Sequence, residues 1–218
     1  MPTPPTRNTI TAGPPQEPID EVRYLGNRSS GRMGIAIAEA AAERGWAVTL
    51  LLGPNAAHPS DPRVAVERFR TADDLERLLA RLDAETDVLV MAAAVSDFRP
   101  TRTTIGKIKR GGPMSIDLEP TPDLLAGVCG RERRPGLAVA FALEPAAGLL
   151  EAARAKLARK GAELIVANPL ETMDSDSIEA TIIAASGAVL FATDEAIPKA
   201  AFAAQLLDTI AAHTRPVD

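Results

Sequence analysis

The stretch "YLGNRSSGRMGIAIAEAAAERG", Tyr24–Gly45, joins a loop of glycines and hydroxyl residues to an alanine-rich helical pattern. The pattern predicts a helix near 32–44, with Ser29 or Ser30 as its N-cap. Gly26, Gly31 and Gly34 let backbone amides approach a ligand closely and let the helix pack tightly on a sheet. The positive end of such a helix suits an anion. A capped helix after a glycine turn, with no ligand at all, is the plain alternative. A Walker A loop does not fit, because Arg32-Met33 follow Gly31 where Lys and Ser/Thr are needed. A dinucleotide fingerprint does not fit either, because "TAGPPQEPIDEVRYLGNRSS" separates the preceding strand from the helix. Long connections in compact domains tend to carry function.

On either side of this stretch, short β-rich runs alternate with helical patterns. Strands are predicted at Asn8–Ala12, Val48–Leu52, Val64–Phe69, Val88–Ala92, Leu137–Leu143 and Leu164–Ala167. Helices are predicted near 32–44, 72–84, 122–130, 145–160 and 195–212. This alternation predicts an α/β fold with a doubly wound, mostly parallel, Rossmann-like sheet and helices on both faces. Thr71 with Asp73 and Asp74 makes an N-cap and an acidic first turn, and Thr121 is expected to cap a helix that has Pro122 at its first position. "KIKRGGPMSIDLEP" reads as a projecting hairpin flap turning through Arg110–Pro113, and "ATIIAASGAVLFAT" as a second hairpin turning at Ser186-Gly187. Residues 1–7 read as a disordered lead, and 8–214 as one domain.

Bulk properties narrow the function classes. A net charge of −5 argues against broad nucleic-acid binding but allows a local basic pocket. The single cysteine, Cys129, excludes an internal disulfide and fits a reducing cytoplasm. With His58 and His213 as the only histidines, no metal site of the His/Cys type is expected. No apolar run approaches the roughly 20 residues that span a bilayer, and the N-terminus lacks a signal-peptide core. A cytoplasmic location is the expectation.

Three further motifs carry chemistry. In "VMAAAVSDFRP" a strand runs into Ala93 and Ala94, leaving room for a ligand against backbone, and Asp97 offers a carboxylate at the mouth. Tight core packing and a turn-forming aspartate would explain the same residues. In "GKIKR" strand alternation puts Lys107 and Lys109 on one face, where an anion would relieve their repulsion. A solubilising edge strand is the alternative. Lys156 and Lys160 share one face near a helix C-terminus, where they complement the helix dipole or contact an anion.

Together these blocks resemble the phosphopantothenoylcysteine synthetase family, from Thr9 to about Ile210. The quoted blocks are "TAG…EPIDEVRYLGNRSSGRMG", "AAAVSDFRP", "KIKR", "TPDLLAGV", "AFALEP", "AKLARKGAELIVAN" and "DSDSIEATII". The resemblance implies a ligase joining 4'-phosphopantothenate to cysteine through an acyl-cytidylate. CTP is the implied co-substrate, and Mg2+ rides on its triphosphate with few protein ligands, Asp97 being the nominee. It sets Asn27 against the substrate carboxylate and makes Lys107 the nucleotide and catalytic lysine. Ser29, Ser30 and Gly31 form the nucleotide loop; Ala93 and Ala94 line substrate and nucleotide. Asp97, Pro122, Asp123, Phe141, Lys156 and Lys160 match nucleotide contacts. Arg23 is implied to reach phosphopantothenate in the other subunit of a homodimer, while Asn27 and Lys107 serve another composite site. The flavin-dependent decarboxylase that acts next is implied to be a separate chain, making this a stand-alone synthetase. The sequence departs from the family at Pro14-Pro15-Gln16, Glu119-Pro120-Thr121 and Leu143-Glu144-Pro145. Two other readings are an NAD(P)-binding Rossmann oxidoreductase and a non-catalytic nucleotide-binding relative.

Overall fold

The computed structural model describes residues 7–82, 85–173 and 175–214. Six positions of the expected lead, 1–6, and the last two of the expected 72–84 helix lie outside the described residues. In chain order the elements are β1 (Arg7–Ala12), β2 (Glu17–Pro18), β3 (Tyr24–Leu25), α1 (Arg32–Glu43), β4 (Ala47–Leu52), β5 (Ala65–Arg68) and α2 (Ala72–Leu79). There follow β6 (Val88–Met91), β7 (Phe98–Pro100), β8 (Leu118–Pro120), α3 (Leu124–Cys129), β9 (Leu137–Glu144), α4 (Leu149–Lys160) and β10 (Leu164–Pro169). The chain ends with β11 (Ser177–Ile178), β12 (Thr181–Ala184), β13 (Val189–Ala192), β14 (Ile197–Pro198) and α5 (Lys199–His213).

Eight strands form the central sheet in the order β13-β12-β10-β9-β6-β1-β4-β5. From β10 to β5 all pairings are parallel, and β12 and β13 continue the sheet antiparallel. The six parallel strands have the dinucleotide-fold order, with the switch point between β1 and β6. Alternation along each strand feeds two cores. Val88 and Val90 pack on the face covered by α1 and α5, whereas Leu89 and Met91 pack on the face covered by α2, α3 and α4. The doubly wound expectation holds.

Several local details differ from the sequence expectation. The N-cap of α1 is Gly31, at φ 75°, and neither Ser29 nor Ser30 caps the helix. A Cβ at Gly31 would fall 2.8 Å from Ala56 Cβ and 2.9 Å from the Gly13 nitrogen, so the helix entry needs glycine on two counts. Thr71 caps α2 as expected, in a capping box with Asp74. Asp123, not Thr121, caps α3, taking the Ala126 N–H at 3.1 Å. The expected 145–160 helix starts only at Leu149, after Gly148.

The flap is built differently from the expected hairpin. Its paired strands are β7 and β8, on either side of residues 101–117, and "KIKR" is not a strand. The reason is competition for backbone groups. Thr104 N–H bonds Ile19 O at 3.0 Å, Gly106 O accepts from Glu21 N–H at 3.3 Å, and Ile108 N–H is taken by Asp20 at 3.1 Å. Lys107 and Lys109 are exposed, with no strand face to share. The second hairpin, β12–β13, turns where Ser186-Gly187 predicts.

The connection after β1 is itself a small hairpin of β2 and β3. Buried Glu17 accepts the Ala72 N–H at 2.7 Å, tying this hairpin to the start of α2. Burial raises the Glu17 pKa, and the Ala72 amide only partly offsets it. Arg99 on β7 bonds Glu119 on β8 at 2.9 Å and Asp73 at 2.6 Å. That pair gives the departure at Glu119 a local role.

Candidate active site

At the carboxyl ends of the strands, across the switch point, lies a cavity of about 1020 Å³. One wall is the loop and first turn of α1, from Gly26 to Gly34; another is the segment after β6, from Met91 to Asp97. The third is the α3 entry and the face of α4 carrying Ala152, Lys156, Arg159 and Lys160. Ligands gather at this place in open α/β sheets.

Small residues make the close approaches. Gly34 lies so near β1 that a Cβ there would sit 2.6 Å from Ala12 Cβ and 2.7 Å from Thr11 O. This brings the amides at the start of α1 to the ends of β1 and β6, where an anion would meet the helix dipole. Buried Thr11 accepts the Ala93 N–H at 2.9 Å and so fixes the turn after β6. Asn27 Nδ2 donates to Ala94 O at 3.0 Å, and Ser96 Oγ donates to Asn27 Oδ1 at 3.4 Å. The Asn27 amide is therefore oriented by the alanine segment.

The α4 wall is cationic. Lys160 Nζ reaches Asp123 Oδ1 at 2.6 Å. Burial pushes the Asp123 carboxyl up, but the Lys160 ammonium and the Ala126 N–H outweigh it and hold the pKa below the usual value. Lys156 is drawn down from the ordinary lysine value by burial first and by Lys160 second, with Glu144 and Asp97 opposing. A bound polyanion would offset both causes.

Of the residues predicted from sequence, Asn27, Ser29, Ser30, Gly31, Ala93, Ala94, Asp97, Pro122, Asp123, Phe141, Lys156 and Lys160 line this one cavity. Ser29 has a local task as well, accepting the Gly31 N–H at 3.3 Å. Arg23 and Lys107 are not in the lining. They lie near each other instead, since Arg23 donates to Ile108 O from both terminal nitrogens at 3.4 Å. The residue after Lys107 is thus bonded to Arg23.

The cavity also holds Arg32, Arg159, Asn168 and Lys199, which pattern reading passed over. Arg159 sits between the two lysines of α4, and Asn168 ends the "AKLARKGAELIVAN" stretch, so both had a signal. Lys199 opens α5, far along the chain, and had none. Arg32 is paired with Asp176 at 2.6 Å. Among the described residues no group of three His, Cys, Asp or Glu side chains is placed to hold a metal ion. Among them, too, no helix is long and apolar enough to cross a membrane.

A cysteine/cysteine sulfinic acid decarboxylase from an unknown prokaryotic organism is 45% identical over 163 residues, covering 74% of this chain and 45% of that protein. The coenzyme A biosynthesis bifunctional protein CoaBC of Mycobacterium bovis is 42% identical over 192 residues, covering 82% of this chain and 46% of that protein. The chain thus spans about half the length of the curated relatives it matches. A crystal structure of the C-terminal domain of CoaBC aligns with a TM-score of 0.76 at 32% identity, over 95% of this chain and 94% of the other. The sequence model of the DNA/pantothenate metabolism flavoprotein C-terminal domain matches residues 6–214, and on that extent the chain belongs to this family.

Proposed function

We propose that the protein is a phosphopantothenate–cysteine ligase acting in coenzyme A biosynthesis with CTP as co-substrate. One observation carries the reading. A single cavity joins a helix N-terminus and a lysine-bearing helix face to an asparagine anchored on small, backbone-exposing residues. The first two suit a triphosphate; the third suits an acyl group lying against backbone. The likeness to CoaBC supports the choice of substrates.

In this mechanism the phosphopantothenate carboxylate attacks the α-phosphorus of CTP, pyrophosphate leaves, and an acyl-cytidylate forms. The amine of cysteine then attacks the activated carbonyl, giving the amide and CMP. Both steps need positioning and charge stabilisation more than a nucleophilic side chain. Ser29, Ser30 and the α1 amides receive the phosphates, with Lys156 and Lys160 on the opposite wall. Asn27 donates to the carbonyl oxygen as negative charge develops there. Magnesium bound with the triphosphate would supply neutralisation of phosphate charge, and Asp97 in the cavity lining is the carboxylate that would help hold it. A decarboxylase acts next on the product.

The active unit in this reading is a homodimer. Val22, Phe98, Ile105, Met114, Ile116 and Leu118 are exposed apolar side chains on the flap and the β2–β3 turn, Ile105 at 94%. A partner covering them would remove an apolar surface from water and bring Arg23 to the neighbouring site.

The deciding measurement is mass-spectrometric detection of phosphopantothenoylcysteine, with each nucleoside triphosphate supplied in turn. Product formed with CTP supports the reading; no product with any nucleotide overturns it. NADPH is expected to leave the melting temperature unchanged, whereas CTP raises it. Lys107→Gln is expected to slow CTP-dependent pyrophosphate release by about 10²-fold, as for loss of one charge-stabilising donor. Lys107 is exposed, so the melting temperature should hardly move. Normal pyrophosphate release in the variant would reduce Lys107 to a solubilising surface residue.

A further inference from the structure

Asp20 is the most completely buried carboxylate near the flap, with none of its side chain exposed. A buried carboxylate is stable only when its oxygens are fully engaged. Here Oδ1 accepts the N–H groups of Val22 at 2.8 Å and Arg23 at 2.7 Å. Oδ2 accepts the Arg23 guanidinium at 2.7 Å and the Ile108 N–H at 3.1 Å. Burial opposes the charge, yet these donors hold the Asp20 pKa below its usual value. One oxygen thus shapes the turn that carries Arg23. The other crosses 88 residues of sequence to the flap, at the residue next to Lys107.

We propose that Asp20 is a positioning residue for the ligase reaction, locking the Arg23 turn to the Lys107 segment so that both cations reach one site as a single body. This rests on the ligase reading above. Arg23 closes the unit from its side by donating to Ile108 O. The backbone bonds Thr104 N–H to Ile19 O and Glu21 N–H to Gly106 O run alongside. A flap free to move on its own would carry Lys107 without Arg23; the Asp20 carboxylate forbids that.

The chemistry makes Asp20→Asn a selective test. An amide keeps one acceptor oxygen but replaces the other with a donor. Whichever way it turns, two of the four donors then face an N–H. With Oδ1 kept toward the turn, the bonds lost are those to Arg23 Nη1 and Ile108. The expected result is a rise of roughly tenfold or more in KM for phosphopantothenate, the range of one lost charge-assisted bond. KM for cysteine should be unchanged. Hydrogen exchange should quicken across 101–117 while the β9 and β10 amides stay protected. Merely weaker folding would lower kcat through a smaller active fraction and leave KM alone. In the Arg23→Ala background, adding Asp20→Asn should change the Kd for phosphopantothenate, read by calorimetry without turnover, less than twofold, because the two residues act through one another.

An unchanged KM in Asp20→Asn, or fully additive effects in the double variant, overturns the proposal. Should Asp20→Asn fail to fold, Ile108→Pro removes the flap N–H that Oδ2 accepts, along with the Ile108 side chain and the free φ there, and is expected to give at least the same KM rise; no rise there also overturns it. Wild-type protein that makes no ligated product overturns the ligase reading instead. In that case faster flap exchange in Asp20→Asn still upholds the tie, and unchanged exchange defeats it.

Discussion

Asn27→Ala is expected to lose about 10²–10³ in turnover, the range for removing one oxyanion donor. Its side chain is exposed and bonds Ala94 O and Ser96 Oγ, so thermal stability should survive. In the proposed composite site Arg23→Ala is expected to be nearly as inactive, for a different reason: it would lose the contact to the phosphate of phosphopantothenate from across the proposed dimer. Mixing the two variants separates the roles. Random exchange gives about half heterodimers, each with one intact site, so roughly a quarter of wild-type activity should return. The tie through Asp20 adds a second mixture. Arg23→Ala with Lys107→Gln should recover nothing, because both cations serve the same site and each site lacks one of them. Recovery in that pair, or none in the first although subunits exchange, would break the composite-site reading.

Gly34→Ala should be severely damaging for a single added methyl group. The atoms it would meet belong to β1: Ala12 Cβ at 2.6 Å, Thr11 O at 2.7 Å and Ala12 Cα at 3.1 Å. β1 lies in the middle of the sheet, paired on both sides, and cannot yield. The helix must lift instead. Overpacking of this kind costs typically 1–3 kcal/mol, and about 3 kcal/mol is expected here. For a chain of this length that lowers Tm by roughly 6–12 °C. CTP binding should weaken as well, since the lifted amides are those facing the cavity. Calorimetry with and without CTP measures both effects; an unaltered Tm would show that the helix is free to shift.

The parts legible in the sequence were those set by local chemistry. Strand runs and helical periods gave the sheet, and Thr71 with Asp74 gave a capping box, because every interacting group lies within a few residues. Twelve predicted site residues meet in one cavity because all but Phe141, which lies within β9, follow a strand end or sit at a helix entry or on one helix face. What failed depended on distant partners. Asp123 caps α3 while also holding Lys160, a residue 37 positions on, and Thr121 has no such anchor. The "KIKR" segment alternates like a strand, but Asp20 claims its Ile108 amide from another part of the chain. The pairing of β11 with β14 covers only two register positions, too little pattern to announce itself.

The flap also divides the chain in a way that bears on its handling as a molecule. Residues 7–100 supply β1, β4, β5 and β6, a contiguous half of the sheet; residues 118–214 supply β9, β10, β12 and β13, the other half. The halves abut along β6 and β9, under apolar clusters that run across the seam on both faces. The covalent link between them passes through basic 101–117, where Arg102, Lys107, Lys109 and Arg110 are exposed on the single chain as trypsin sites. A cut there removes no core contact. Brief tryptic digestion should therefore yield two fragments on a denaturing gel that elute together as one native-sized peak. Separately expressed halves should reassemble into the same sheet. Fragments that drift apart after the first cut would mean the seam is weaker than its buried side chains imply.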